Sequence, residues 1–260
     1  MKYWYQKPHQ SLSDYVRTVL IMEGFSQPDP KALPLFTNGM PALFCRTEKV
    51  ENGAENIIQL ALFGKSVPPD SWTIDENTNI IAYFFKPFAL ASLFNIPAAK
   101  LKEAAVELCN WNLHKNNALR TQLIYAASTS QKTEVLNNLL IHQLQQNKKE
   151  CEIIKYATDE MMYNSNADIL SILLSKLNLS ERTFQRIFKK YVGVTPGQYR
   201  RICQFQLSFA QLRSKEFDKL TDIAYDNGFA DQSHFIRSFK EFTATTPNTY
   251  LKSGLKEKNL

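Results

Sequence analysis

The last 95 residues of the chain contain one pattern twice, and this repetition constrains the fold more than any other feature. Corresponding residues in the two copies are separated by a constant 51 positions, without an insertion. The shared positions are Ile172, Phe184, Arg186, Phe188, Lys189, Thr195, Pro196 and Tyr199 in the first copy, and Ile223, Phe235, Arg237, Phe239, Lys240, Thr246, Pro247 and Tyr250 in the second. Two copies of one structural unit explain this constant spacing.

Each copy has the pattern of two helices joined by a tight turn. In the first copy, Ser180 is placed to cap a helix, and Gly193 stands where that helix should end. Thr195 and Pro196 suit the cap and first turn of the next helix, and Asp231 takes the capping position in the second copy. The capped helices have apolar residues along one face, namely Phe184, Ile187, Phe188, Phe235 and Phe239.

The opposite face of each capped helix is polar. Arginine and glutamine are the side chains best suited to bidentate contacts with guanine and adenine in the major groove of DNA. Taken alone, such a face is more typical of an ordinary solvated helix surface. The outward residues are Arg182, Gln185 and Arg186 in the first copy, and Gln232, Ser233, His234 and Arg237 in the second.

The net charge of the chain is confined to the repeat region. Residues 166–260 contain 15 lysines and arginines against 9 acidic residues, whereas residues 1–165 contain 16 of each. The whole formal charge of +6 therefore lies in the repeats. A basic segment attracts phosphate in a salt-dependent way, and outward Gln and Arg side chains would add base discrimination.

The repeat region resembles the DNA-binding domain of the AraC/XylS family of bacterial transcription regulators, over roughly residues 166–252. The resemblance rests on the segments LNLSERTFQRIFKKYVGVTPGQY and LTDIAYDNGFADQSHFIRSFKEFTATTPNTY. It implies seven helices, with two helix-turn-helix units joined by a linker helix from about Pro196 to Arg213. It also implies that both recognition helices enter successive major grooves of double-stranded DNA, about one helical turn apart.

The resemblance assigns a role to each outward side chain. It gives base contacts to Arg182, Gln185, Arg186, Gln232, Ser233, His234 and Arg237. It gives phosphate contacts to Lys189, Lys190 and Lys240, for which ordinary solvated charge is the equal alternative.

Three positions depart from the family pattern. Leu173 stands where the family usually has alanine, and Gln204 stands where its linker helix usually carries an arginine. Ala244 replaces, in the second copy, the glycine found at Gly193, at a position that favours positive φ. These departures support an alternative, a sensor or interaction protein whose DNA-binding units have degenerated.

The first 165 residues predict a different kind of structure, so the fold class of the whole chain is α+β. Short apolar runs at 16–22, 42–45, 57–63 and 80–85, separated by segments with Pro, Asn and Gly, predict a small β-rich domain over residues 1–87. Helical spacing then predicts a connector over residues 88–165, including the segment PAAKLKEAAVEL and a long helix from about Thr133. The DNA-binding domain follows over residues 166–260.

Two segments of this first part, LFTNGMPALFCR and AYFFKPFALASLFNIPAAKL, are similar to an amino-terminal domain of unassigned function on some AraC-type regulators. In such regulators the extra domain commonly senses a small molecule or forms a dimer. A small-molecule effector, a second copy of the chain and RNA polymerase are therefore candidate partners. Aromatic residues are dense here; most must fill the core, and some, Trp72 in particular, are candidates for lining a cavity.

The long helix carries an apolar stripe with two interpretations. The stripe packs inside its own domain, or it pairs with the same helix of a second chain. Its residues are Val135, Leu136, Leu139, Leu140 and Leu144.

Sequence motifs give little support to an enzyme. The sequence has no Gly-rich phosphate loop, GxSxG elbow or HExxH helix, and its cysteines form no CxxC pair. Its four histidines are scattered, which argues against a metal site, so we expect no cofactor. Some AraC-type proteins carry a cysteine that accepts a methyl group from damaged DNA, and the resemblance makes Cys45, beside Arg46, a candidate for this role. A buried cysteine on a strand is the stronger interpretation.

Hydropathy gives no sign of a membrane segment. No apolar run approaches the roughly 18 residues of a membrane span, and the start MKYWYQKPHQ lacks the apolar core of a signal peptide. We therefore expect a cytoplasmic protein with no membrane partner.

Overall fold

The computed structural model describes residues 2–24, 41–49, 55–64, 77–96, 105–108, 113–146, 152–164, 168–243 and 245–252. The described residues fall into two compact units, the first over residues 2–146 and the second over residues 152–252. Within the described residues, the first unit contains a β-sheet with helices, and the second unit is helical.

The sheet of the first unit has six antiparallel strands in the order β1-β2-β5-β3-β4-β6. The strands are β1 (Lys2–Gln6), β2 (Val16–Glu23), β3 (Ala42–Lys49), β4 (Glu55–Phe63), β5 (Thr78–Phe85) and β6 (Val106–Glu107). A short 3-10 helix, Gln10–Leu12, lies between β1 and β2. Strands β2, β3, β4 and β5 coincide with the four apolar runs, which confirms the predicted β-rich structure of this part of the chain. The domain bounds 1–87 stay a prediction.

The sequence did not predict β1 or β6. Val106–Glu107 falls in the segment PAAKLKEAAVEL, which was predicted to be helical, and that prediction was wrong for these two residues. Leu62 pairs with Val106 and Ala61 with Glu107. Strand β6 therefore pairs with backbone groups at the edge of β4 that would otherwise be open. Pairing with a distant strand overrides local helical spacing, which is a weak preference by comparison.

Both faces of the central strand β5 are buried, and so are all eight of its residues. One face of the sheet forms a cluster of apolar side chains: Leu20, Met22, Ala42, Phe44, Ala61, Phe63, Ile80, Ala82 and Phe84. On the other face, β5 packs against helix α3 (Thr129–Gln146), which in turn contacts α1 (Ala89–Phe94) and α2 (Leu113–Tyr125). Burial on both faces explains why residues 80–85 form an unbroken apolar run rather than alternating with polar residues.

Polar contacts hold α3 against the sheet. The Tyr83 hydroxyl lies 3.0 Å from the Thr133 carbonyl oxygen, and burial, followed by the nearby Cys45, raises the pKa of Tyr83. The hydroxyl therefore stays protonated and can donate. Lys132, whose side chain is 1% exposed, forms a 2.7 Å ion pair with Glu55 at the start of β4.

The apolar stripe of α3 divides in two. Leu136 and Leu140 are fully buried, as the core interpretation predicts. Val135, Leu139 and Leu144 remain half-buried.

The second unit has seven helices in its described part, the number that the family resemblance implies. They are α4 (Glu152–Tyr163), α5 (Ile169–Leu177), α6 (Glu181–Val192), α7 (Pro196–Ser214), α8 (Leu220–Asp226), α9 (Gln232–Thr243) and α10 (Pro247–Lys252). Helix α4 packs against α5, α6 and α7, through buried residues such as Ile154 and Met161. The helical residues assigned to a connector thus divide between the two units, α3 in the first and α4 in the second.

Candidate nucleic-acid interface

Helix α6 begins and ends at the residues that the sequence indicates. Ser180 Oγ accepts a hydrogen bond from the Thr183 backbone N–H at 3.3 Å. At the other end, Gly193 adopts a φ of 85°, and its N–H bonds to the Lys189 carbonyl. A side chain at Gly193 would be strained in this left-handed conformation, so the glycine stops the helix and turns the chain into α7.

The linker helix α7 starts with a reciprocal capping box. Thr195 Oγ1 accepts from the Gln198 N–H at 3.2 Å, and Gln198 Oε1 accepts from the Thr195 N–H at 3.1 Å. Pro196 occupies the first turn, where its missing N–H leaves no bond unmade. The predicted linker, Pro196 to Arg213, is confirmed to within one residue.

The second recognition helix is capped in the same way. Asp231 Oδ1 accepts from the His234 backbone N–H at 2.7 Å, which confirms the predicted cap of α9. The substitution at Ala244 lies outside the described residues.

Aromatic side chains fix the inner faces of both recognition helices. In the first copy, the Phe188 ring lies 5.5 Å from Phe184 and 5.6 Å from Tyr199 of α7, measured between ring centroids. In the second copy, Phe239 of α9 lies 5.7 Å from Phe205 of α7. With their inner faces anchored to one shared helix, α6 and α9 present their opposite faces to solvent.

The predicted DNA-contacting residues lie on these outer faces. Gln232 and His234 are half-buried, and the His234 ring packs edge-on against Phe229 at 5.4 Å. The other predicted residues are exposed, namely Arg182, Gln185, Arg186, Lys189 and Lys190 on α6, and Ser233, Arg237 and Lys240 on α9. Their individual contacts with bases or phosphates stay predictions.

Acidic residues also lie near the outer faces. Glu181, the first residue of α6, accepts a hydrogen bond from Gln185 Nε2 at 2.8 Å. Glu241 of α9 pairs with Arg201 of α7 at 2.5 Å, with both side chains about half exposed. Helical spacing places Glu181 on the polar face of α6, but sequence reasoning predicted neither of these two pairs. A glutamate four residues before a glutamine on a helix indicates the first of them.

Each of the two parts of the chain matches a known protein family. Residues 173–253 match a family described as a helix-turn-helix domain. Residues 6–107 match a domain of unknown function, DUF6597. The probable transcription factor PqrA of Proteus vulgaris is 33% identical over 103 residues, which span 40% of this chain and 83% of PqrA.

The chain belongs to the AraC/XylS family.

Two further comparisons concern longer alignments. An uncharacterized HTH-type transcriptional regulator of Haemophilus influenzae is 26% identical over 167 residues, and the match spans only 55% of that protein. The structure of ToxT from Vibrio cholerae aligns over 96% of both chains, with 13% identity and a TM-score of 0.43.

Gln204, which departs from the AraC/XylS pattern, has a structural role. Its side chain is 3% exposed, and Nε2 donates to the carbonyls of Asn227, at 3.2 Å, and Gly228, at 2.8 Å. These carbonyls lie in the turn between α8 and α9, where Gly228 has a φ of 70°. Gln204 therefore fixes the turn of the second helix-turn-helix unit to the linker helix.

A second amide of α7 extends this contact. Gln211 Oε1 accepts from Asn227 Nδ2 at 2.6 Å, and Gln211 Nε2 donates to Asp226 Oδ2 at 2.8 Å. Asn227 Nδ2 also donates to the Ile223 carbonyl at 2.8 Å. We call Gln204, Gln211 and Asn227 the turn network. Two glutamines seven residues apart, on one face of the linker helix, are the sequence signal that was missed.

The fold also accommodates Leu173, the second departure from the family pattern. Its side chain is fully buried in α5, so the larger residue adds apolar surface to the core of the first helix-turn-helix unit.

The first unit contains a groove of about 370 Å³ between the β1–β2 hairpin and the first turns of α3. It is lined by Trp4, Gln6, Ile21, Thr129, Ser130, Thr133, Glu134 and Asn137. The predicted cavity residue Trp72 lies outside the described residues, whereas Trp4 provides an aromatic wall.

The structure also places the residues of the other hypotheses raised by the sequence. Cys45 is 1% exposed on β3, in agreement with the buried-strand interpretation. Among the described residues, no group of His, Cys, Asp and Glu side chains is placed to hold a metal ion. None of the described helices has the length and apolar character needed to span a membrane.

Replacing Gln204 by leucine should lower the free energy of unfolding of the helical unit. The substitution keeps the volume but leaves two turn carbonyls without their donor, which costs about 2 kcal/mol. Urea unfolding of the full chain, followed by circular dichroism, measures the change. Gln145→Leu on the exposed face of α3 is the control and should change the stability by less than about 0.5 kcal/mol. Equal stability of Gln204→Leu and the wild type would contradict this role.

Proposed function

We propose that the chain is a sequence-specific DNA-binding transcription regulator, in which α6 and α9 enter successive major grooves of the duplex. The observation that carries this proposal is the equivalence of Arg186 and Arg237. Both are exposed, they lie 51 positions apart, and each stands on a capped helix whose inner face is anchored to α7. Two guanidinium groups held in this way suit bidentate contacts with guanine in two grooves.

The charge distribution supports the same proposal. Lys189, Lys190 and Lys240 lie on the helices that carry the proposed base contacts, and all three are exposed. Cations at these places would contact phosphates and release bound counterions, so affinity should fall as salt rises.

Base and phosphate roles can be separated by substitution. Arg186→Ala should weaken binding to the selected site by about 1–3 kcal/mol and relax base choice at one position. Lys240→Ala should instead weaken binding to every sequence and reduce the slope of affinity against salt. Selection of DNA from a random pool by the full chain supplies the site, and titrations with matched and scrambled duplexes measure both effects.

Three results of that experiment carry information. A motif with two blocks about 10 base pairs apart supports recognition by both helices. Equal losses on matched and scrambled DNA for both variants would contradict the assigned roles. The absence of any enriched motif would favour the alternative, in which the DNA-binding units have degenerated. The structure gives this alternative no support at Leu173 and Gln204, since both side chains are buried within the helical unit.

The first unit is proposed to regulate DNA binding through a small-molecule effector. The groove beside α3 supports this, because its lining combines the Trp4 ring with polar side chains such as Ser130 and Glu134. Its volume is in the range of ligand sites. A small polar molecule with a flat apolar face fits this lining. RNA polymerase follows as a partner from the family resemblance alone.

Ligand binding at the groove should perturb Trp4. A panel of monosaccharides, amino acids and nucleosides can be tested against the full chain, with the indole N–H resonance of Trp4 as the readout. The expected result is a ligand whose titration shifts this resonance and whose affinity falls at least tenfold in Trp4→Ala. Ligands that bind equally well to the variant would place the effector site elsewhere.

A homodimer is proposed to form through the half-buried part of the α3 stripe, around Leu139. Leu139→Glu should give a soluble monomer, because the residue is only partly covered in one chain. Leu140→Glu should unfold the first unit, since it places a charge in the core. Light scattering after size-exclusion chromatography separates the cases, and a monomeric wild type would contradict the dimer.

A further inference from the structure

The first recognition helix carries an acidic residue that no predicted role accounts for. Glu181 is exposed at the first position of α6, between the cap and Arg182. A carboxylate there would repel nearby phosphates, so it opposes general binding to DNA. Its side chain accepts a hydrogen bond from Gln185 Nε2, which lies 2.8 Å from Glu181 Oε1.

The geometry of the Gln185 amide shows which of its hydrogen-bonding groups remain available for a base. Gln185 Nε2 carries two hydrogens, and Oε1 is an acceptor. A bidentate contact with adenine uses Oε1 and the hydrogen on the same side, which meet the N6 amino group and N7. The second hydrogen points back along the side chain, where Glu181 lies one helical turn earlier. One hydrogen can therefore serve Glu181 while the other two groups stay free for a base.

The bond also changes the freedom of Gln185. An exposed glutamine samples many rotamers, and ordering such a side chain at an interface costs about 0.5–1.5 kcal/mol. A bond to a residue on the preceding turn orders it before DNA arrives. The location of Glu181 in the first helical turn is itself favourable, since the helix dipole attracts negative charge there.

We propose that Glu181 is a positioning residue that holds the Gln185 amide for adenine recognition, at the expense of general affinity for DNA. The inference rests on the proposed function, because it assumes that α6 enters a major groove. It assigns to Glu181 two effects of opposite sign: it increases discrimination for adenine at one base pair and decreases binding to all sequences.

The second copy of the unit provides an internal control. The position equivalent to Glu181 is Gln232, and the position equivalent to Gln185 is Ile236. The pair is therefore absent from α9, and base preferences in its half of the site should not depend on Glu181.

The test uses the full chain with Glu181→Ala, Glu181→Gln and Gln185→Ala. DNA selection with Gln185→Ala first identifies the base pair at which adenine preference is lost. At that base pair, Glu181→Ala should lower the preference about two- to tenfold, the range of the rotamer ordering cost. The affinity of Glu181→Ala for scrambled duplex should rise, because the variant has lost a negative charge. Its base preferences at the other base pairs of the site should stay unchanged.

The conservative variant separates positioning from charge. Glu181→Gln keeps an acceptor oxygen, so adenine preference should be retained, while the loss of negative charge should still raise the affinity for scrambled duplex. In the Gln185→Ala background, Glu181→Ala should have no further effect on base preference. Thermal unfolding of each variant checks that α6 remains folded.

Several outcomes would overturn the inference. Unchanged adenine preference in Glu181→Ala would do so, as would equal losses at the base pairs contacted by α9. Absence of any adenine preference attributable to Gln185 would also remove its basis. If the wild type enriches a motif and only these outcomes occur, the inference fails while the proposed function stands; if the wild type enriches no motif, both fail.

Discussion

The helical unit depends on the aromatic packing of one long helix, α7. Tyr199 near its start contacts Phe188 of the first recognition helix, and Phe205 and Phe209 farther along contact Phe239 of the second. Each buried aromatic ring contributes about 1.5–3 kcal/mol by its removal from water. Because one helix supplies the inner wall of both helix-turn-helix units, neither recognition helix can shift without disturbing a core attached to α7.

Polar contacts then specify details that apolar packing leaves open. The capping box at Thr195 determines where α7 begins, and the turn network determines the path of the chain from α8 into α9. Such buried amides stabilise only one arrangement, since a displaced turn would leave carbonyl groups without donors. The lysine buried in the first unit follows the same rule, because Lys132 is tolerated there through its pairing with Glu55.

Much of the fold could be predicted from local signals. The caps at Ser180, Asp231 and Thr195 and the glycine at Gly193 depend on residues within one helical turn, so the sequence shows them directly. The outward placement of Arg182, Arg186 and Arg237 follows from helical periodicity. Strand β6 could not be predicted, because its conformation depends on the edge of β4, more than 40 positions away. The partners of Gln204 were hidden for the same reason, since they lie 23 and 24 residues along the chain.

The continuity of α7 has a mechanical consequence for any duplex that the two recognition helices contact together. An α-helix rises 1.5 Å per residue and resists bending over a few turns. The distance and angle between α6 and α9 are therefore set by the protein, with little room for adjustment. Where the grooves of a straight duplex do not match this distance, the DNA must bend, at a cost of a few kcal/mol that depends on the flexibility of its base steps. Base pairs that touch no side chain would then influence affinity through their stiffness alone.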